Sequence, residues 1–462
     1  MKNSFVIFCF ACVCNVAAAK TIWVTNSGEL IKGLNAAVAG DEVILLPGQY
    51  NLGRFESRTG GTSKAPITVK ATIPETVFIQ ASRVETFSIY NPYWVFENLT
   101  IRGTGGTHHA FHLSKNADHV IIRNNKLINF HSHIKSNGKG DQFPDFGLIE
   151  GNEMRNDAIR QTSEPTSPID VVGGYGWIVR NNVVADFGRS SAKSVSYGIF
   201  LKGNSTNGLI EQNLVICSQT HESGYRIGVS LGGGGTGKAY CEKQSCQHEH
   251  RHGVIKNNVV LNCSDAGIYL KKASDSKVFH NTLINTLGID AQLAPTSAIV
   301  ENNYVGGVIH ARKGASIQRS NNITSAWGWV PYAETIAKYG VRRVSDYHVK
   351  YPSIIKKWQV EFAQEGMTWL GKWVADSPMG LGRSRAIDDF SNVGYGDLTP
   401  PSLSFLKTDK RINSVMKDFW GNLRGTDGAF IGAVDLLVSS CNVAQKIADR
   451  VVTPNDKCQI EE

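Results

Sequence analysis

The chain has 462 residues and a formal net charge of +8, with 41% hydrophobic and 19% charged residues. That balance excludes a disordered, collagenous or coiled-coil protein and permits a sizeable buried core. The 46 glycines and the many Asn-Asn pairs point to one long, turn-rich, repetitive body rather than to the several ordinary domains that length alone implies.

Residues 1–19 run from Lys2 through an apolar stretch at 5–14 to Ala17, Ala18 and Ala19, the order of a secretory signal. The mature chain is therefore expected to begin at Lys20 and to be secreted or periplasmic, and no later stretch is apolar for long enough to span a membrane. Residues 28–39 pattern as a short amphipathic helix suited to capping the open end of a solenoid, and residues 41–48 as a strand and turn.

Three cysteines (Cys9, Cys12, Cys14) leave with the signal, and six remain: Cys217, Cys241, Cys246, Cys263, Cys441 and Cys458. An even number in an exported chain allows disulfides. Cys241 with Cys246 and Cys441 with Cys458 are candidate pairs. The adjacent His248, Glu249, His250 and His252 make zinc a competing reading.

From residue 94 a short unit recurs, as in WVFENLTI, VIIRNNKLI, WIVRNNVVA and GVIKNNVVL. Its aligned asparagines are Asn98, Asn125, Asn152, Asn182, Asn213, Asn258, Asn281, Asn303 and Asn322. Within the units, apolar and other residues alternate with period two, and no 3.6-residue period is present. Stacking such units pairs every strand with the coil above and below and sets the asparagines in an amide ladder. The expected fold is all-β: a right-handed parallel β-helix over residues 20–325 with an N-terminal cap. A Trp-rich insertion or appended subdomain follows at 326–400, and a terminal coil and tail at 401–462.

Aligned on the strand before each asparagine, the outward positions are His112 and Ser114, Lys135 and Asn137, Asp170 and Val172, Phe200 and Lys202, Ser230, Tyr269 and Lys271, Asp290 and Gln292, and His310 and Arg312. A wall of cations mixed with aromatic and carboxylate groups suits a long, anionic, hydroxylated ligand. The run from Gly232 to Gly235 lacks the lysine and hydroxyl residue of a phosphate loop and reads as a site of close backbone approach.

These features, with Lys202 on an outward strand position beside the Gly203-Asn204 turn, resemble the secreted right-handed β-helix polysaccharide lyases, especially the chondroitinase B and alginate lyase type. The resemblance implies a lysine base, an arginine on an adjacent coil and often calcium held by Asn, Asp or Glu. On it, Lys202 is the first candidate base and Lys135 the second. Ser230 stands where the arginine is expected, so Arg226 is the nearest candidate to stabilise the substrate carboxylate. Arg160, Tyr269, Lys271, His310 and Arg312 are candidate substrate-binding residues. Glu164 and Asp170 are the candidate calcium ligands, with Glu211 and Glu222 weaker ones.

The chemistry expected is abstraction of the proton beside a uronate carboxylate followed by loss of the glycosidic oxygen, with the carboxylate neutralised. The partner is then an acidic polysaccharide, not a nucleic acid or a membrane, and the chain is expected to be monomeric. A β-helix glycoside hydrolase, a C5-epimerase and a non-catalytic carbohydrate-binding adhesin are the alternatives. The hydrolase needs a carboxylate pair in the groove, whereas the one Asp-Asp, Asp388 and Asp389, falls outside the repeat.

Overall fold

The computed structural model describes residues 19–191, 195–221, 223–233, 235–284 and 286–325, together with 407, 408, 419, 429, 430 and 432. The first 18 residues of the expected signal, Glu222, the Trp-rich stretch 326–400, Cys441 and Cys458 lie outside the described residues.

Three long, wholly parallel sheets make up the body. The first has 12 strands, from Thr21–Val24 to Ser316–Ser320; the second has 11, from Gly48–Leu52 to Ile323–Ser325; the third, called here the groove sheet, has 10, from Phe55–Glu56 to Val308–Arg312. Each coil contributes one strand to each sheet in turn, so the chain climbs as a parallel β-helix. Ser27–Ala36 is the one α-helix among the described residues. Asn26 caps it by accepting from the Glu29 amide, and Leu30, Gly33 and Leu34 are buried beneath it, so the helix closes the first coil as expected. In the C-terminal region Ala429–Phe430 pairs antiparallel with Lys407–Thr408 and with none of the three sheets.

From Glu97 onward the corner between the first and second sheets is always two residues long, as in Asn124-Asn125, Asn181-Asn182 and Asn257-Asn258. The first of the two is left-handed in every coil from Asn98 to Asn321, with φ between 51° and 65°. Asn98, Asn124, Asn181, Asn257, Asn302 and Asn321 supply it by tolerating that region, and Gly151 by lacking a Cβ. The second residue forms the ladder. Eight asparagines (Asn125, Asn152, Asn182, Asn213, Asn258, Asn281, Asn303, Asn322) are linked by seven bonds, each of the first seven passing an amide N–H to the next side-chain oxygen at 2.9–3.0 Å. Asn98 is not among them. It takes the left-handed position, and Leu99 occupies the ladder register, its backbone N–H donating to Asn125 Oδ1 at 3.0 Å. A one-residue shift in the first unit thus separates the aligned asparagine from the true rung.

Period-two alternation fills the core. On the groove sheet Phe55, Phe87, Phe111, Ile134, Ile169, Ile199, Val229, Ile268, Ile289 and Ile309 stack in one inward column, all buried. On the outer face of the first sheet Glu97 pairs with Arg123, Glu150 with Arg180 and Glu211 with Lys256 across successive coils. This use of Glu211 removes it as a metal candidate.

Cys217 is joined to Cys263, and Cys241 to Cys246. The second bridge is the short loop expected from sequence; the first ties adjacent coils and had no local signature. With both of the nearby cysteines oxidised, zinc has no thiolate ligand there. His250 is instead buried and hydrogen-bonded to the Ser205 hydroxyl at 2.7 Å.

The ladder predicts that Asn213→Ala costs on the order of 3 kcal/mol, because it strands the Asn182 donors and the Val179 and Glu211 carbonyls in a dry core. Urea unfolding measures this; a loss under about 0.5 kcal/mol would remove the ladder as a source of stability.

A second expectation concerns acid. Burial first of all lowers His109 to about 4, His133 to about 3 and His250 to about 3. The unfolded chain binds these protons near 6.5, so their contribution is complete above that pH and is lost as pH falls toward 3–4. The melting temperature should therefore already decline between pH 6.5 and 5, and a flat profile there would contradict it.

Candidate functional site

The groove sheet projects two outward columns. Pairing places Ser88, His112, Lys135, Asp170, Phe200, Ser230, Tyr269, Asp290 and His310 in line in the first. Asn137, Val172 and Lys202 follow one another in the second, with Lys271, Gln292 and Arg312 further along. Neighbours in a column are one coil apart, roughly 4.8 Å.

Asp170 is the centre of the arrangement. Lys135, one coil before it, donates to Asp170 Oδ2 at 2.5 Å, and Lys202, one coil after it in the adjacent column, lies 3.5 Å from Oδ1. The Lys202 ammonium also sits 4.2 Å from the Phe200 ring centre, and Phe200 in turn stacks on Tyr197 at 4.0 Å. Burial alone would raise the Asp170 carboxyl, but Lys135 and then Lys202 hold it below the ordinary carboxylate value. Burial lowers Lys135, Asp170 opposes this, and the like charge of Lys202 adds to the lowering, for a net shift downward. Two ammonium groups share one carboxylate, which leaves one uncompensated positive charge on the wall.

Three long interruptions of the β-helix flank this trio. Residues 138–147 follow Asn137, residues 156–168 precede the strand Ile169–Val172, and residues 232–253 follow Tyr225–Leu231. The last of these packs on the turn beside Lys202. Gly203 O accepts from the Glu242 amide at 2.9 Å, its N–H donates to Glu249 Oε2 at 2.9 Å, and Asn204 Nδ2 donates to Glu242 O at 2.9 Å. Long loops on a rigid scaffold are where binding surfaces are ordinarily built.

Other residues expected in the site are placed differently. Arg226 pairs with Ser196, at the far end of its strand from the Lys202 register. Six residues of extended chain, roughly 20 Å, separate the two positions. Arg226 is buried and donates to the Ser223 carbonyl, so it is not the carboxylate partner of Lys202. Arg160 is also turned inward: it is buried, with Nη2 3.1–3.4 Å from the carbonyls of Thr104, Gly105 and Thr107. Arg312 faces the groove but is forked onto Asp290 at 2.9 and 2.6 Å. The Tyr269 hydroxyl and the Gln292 amide lie 2.8 Å apart. Lys271 lies in the second column with its ammonium lowered by burial and then by Lys313 and Arg312, and His310 pairs with Asp290 at the last described coil.

The proposed calcium ligands do not converge. Glu164 is on the exposed loop within the electrostatic reach of Arg189, whereas Asp170 is enclosed by two lysines. No three His, Cys, Asp or Glu side chains group as a metal site among the described residues. A site of hard oxygen ligands is not what these two residues form.

The sequence reading put His112 and Asn137 on the outer face but gave them no role. His112 Nδ1 lies 2.7 Å from Glu85 Oε1 and Nε2 lies 2.8 Å from Asn137 Oδ1. Glu85 also accepts from Ser88 Oγ at 2.7 Å and from Arg54 at 2.9 Å. Glu85 and Arg54 belong to coils before the first recognisable repeat; the alternation of the strand Glu85–Ile89 could have located Glu85, whereas Arg54 precedes the two-residue strand Phe55–Glu56 and had no such signal.

No protein-family model matches the chain, and no curated protein matches it. Solved structures do. A pectate lyase, Pel9A, is similar over 91% of this chain and 97% of its own, with a TM-score of 0.53 and 13% identity. A PL6 family polysaccharide lyase from Pseudopedobacter saltans is 15% identical over 66% of this chain and 93% of its own, with a TM-score of 0.38. A rhamnogalacturonan lyase is 14% identical over 66% and 87%, with a TM-score of 0.47. Glycoside hydrolases are also among the matches. At these identities the likeness is one of fold: the chain has the parallel β-helix architecture found in polysaccharide lyases. Among the described residues no helix is long and apolar enough to cross a membrane.

If Asp170 holds the two lysines in place, Asp170→Asn should cost about 2 kcal/mol, because it leaves Lys135 charged, largely buried and without its ionic partner. Denaturant unfolding of Asp170→Asn, Lys135→Met and the double variant should show non-additive losses; strict additivity would mean that the pair is not coupled.

Proposed function

We propose that this protein is an exported polysaccharide lyase that cleaves a uronate-containing polymer by β-elimination. The observation that carries this reading is the Lys135–Asp170–Lys202 group, which sets two ammonium groups and one carboxylate on the outer wall of a β-helix. With both lysines protonated the group carries one surplus positive charge that draws in a substrate carboxylate, and once Lys135 is neutral the Lys202 ammonium remains beside that carboxylate, whose developing charge must be stabilised during proton abstraction.

The two lysines divide the work, in the reverse of the order expected from strand position. Lys135 is the base, since burial favours its neutral form. Lys202, held less closely at 3.5 Å, is the one placed to meet the uronate carboxylate. Lys135 removes the proton from the carbon next to the carboxylate, the C–H electron pair becomes a carbon–carbon double bond, and the bond to the glycosidic oxygen breaks. No step is routed through calcium.

A hydrolase is favoured by one observation: the partly buried Asp265 is raised to about 6, by desolvation and then by Asp290, as a general acid beside an ionised carboxylate would be. The products distinguish the readings. A lyase gives an unsaturated uronate seen by ultraviolet absorbance when alginate, pectate, chondroitin, dermatan and hyaluronan are screened; a hydrolase gives reducing ends without it.

On the polymer that is turned over, Lys135→Ala and Lys135→Arg should both lower kcat by roughly 10² or more, the scale of lost general-base catalysis. Lys202→Arg keeps a charge and should retain most activity, while Lys202→Ala loses it. Activity that survives in Lys135→Arg but not in Lys202→Arg would exchange the two roles. Added salt should weaken turnover by screening the wall.

A further inference from the structure

His112 is the group on the groove wall that the lysine pair leaves unexplained. The register sets it directly beside Lys135, one coil earlier in the same column. Both of its ring nitrogens face oxygen: Glu85 Oε1 at 2.7 Å and Asn137 Oδ1 at 2.8 Å, and Asn137 gives its own amide N–H to the Gly138 carbonyl at 3.1 Å. A neutral imidazole carries one N–H and one lone pair, so serving two oxygen acceptors takes the imidazolium, with a proton on each nitrogen. Glu85 is fixed from its other side by Ser88 and Arg54, and its carboxyl is held to about 2, first of all by the bond to His112. The charged or titratable groups around the ring are Glu85 and Arg54 from the preceding coils, His109 on its own strand with ring centres 5.4 Å apart, and Lys135 with Asp170 from the following coils.

We propose that His112 is the general acid of the elimination, giving its Nε2 proton to the glycosidic oxygen as that oxygen leaves, while Glu85 holds the ring through Nδ1. The inference rests on the lyase reading. As Lys135 takes the proton beside the carboxylate, the electron pair of the breaking C–O bond is capped by the proton of His112. Exchange with water then returns a proton to His112 and removes one from Lys135, so no oxidant or other co-reactant is consumed.

The arrangement also selects among uronates. His112 and Lys135 rise from neighbouring strands on one face of one sheet, so they address one face of the sugar ring. In manno- and gluco-configured uronates the departing proton and the leaving oxygen lie on the same face of the ring; in galacto-configured ones they lie on opposite faces. The substrate class is therefore a manno- or gluco-uronate polymer.

Three measurements test this on the full chain. Nitrogen NMR of ¹⁵N-histidine-labelled protein, assigned with His112→Gln, should show both His112 nitrogens protonated at pH 7; a bare Nε2 overturns the proposal without touching the lyase reading. With polymannuronate or an unsulfated glucuronate polymer, His112→Gln should lower kcat by roughly 10² and abolish the alkaline limb of the pH profile. On a synthetic uronate with a nitrophenolate leaving group, which needs no acid, the same variant should approach wild-type rate. An equal loss on both substrates would mean a structural role only. Turnover of polygalacturonate alone would overturn the one-face geometry, and no unsaturated product from any polymer would overturn the lyase reading together with the acid assigned within it.

Discussion

Everything on the groove wall depends on a corner that lies on the opposite edge of the coil. The two-residue turn between the first and second sheets places one residue in the left-handed region and hands the next to a buried amide ladder of 2.9–3.0 Å bonds. A side-chain amide that donates upward and accepts from below can satisfy a dry corner only if each coil starts at the same height and phase. Once that phase is fixed, parallel pairing carries it around to the groove sheet, where His112, Lys135, Asp170 and Lys202 fall on successive coils. The site is a product of register before it is a product of any single residue.

The register gives the groove its electrostatic character. In a loop, two lysines beside one aspartate would share that carboxylate with water. Here Lys135, Asp170 and Lys202 are each locked by a neighbouring strand, and all three side chains are less than a fifth exposed. Burial would be costly for any of them alone and is tolerated because each charge faces its opposite. The uncompensated charge that remains is held in a fixed place, which is the condition for a site to act on charge that appears only during a reaction.

Much of this was legible from sequence because the repeat makes one strong demand. Alternation with period two identified the outward residues correctly, since the side chains of a strand have no other way to point. The paired asparagines marked the corner because few residue types tolerate a positive φ. Errors arose where the pattern is degenerate. Asn98 looked like a rung because both corner positions favour asparagine, and only the bond from the Leu99 N–H to Asn125 resolves the phase. Arg226 was four residues from Ser230 in sequence, but in a strand those four residues are distance, whereas in a helix they would be one turn. Arg160 and Arg312 are cations by composition alone; their carbonyl and carboxylate partners come from other coils. The Cys217–Cys263 bridge joins neighbouring coils across 46 residues, a separation set by an intervening loop that sequence spacing does not reveal.

The same corner separates what the fold can change from what it must keep. Between Glu97 and Thr100, and again at every later coil to Ser320 and Ile323, the chain allows two residues and no more. The other two corners absorb every difference in repeat length, from the single residue Gly307 to the stretch 232–253, and both of them border the groove sheet. An insertion in this architecture is thereby steered to the lips of the groove and away from the spine. A lineage of such chains could rewrite its loops while the groove wall stays in phase, so the ladder acts as a memory of alignment that leaves the lips of the groove free to drift.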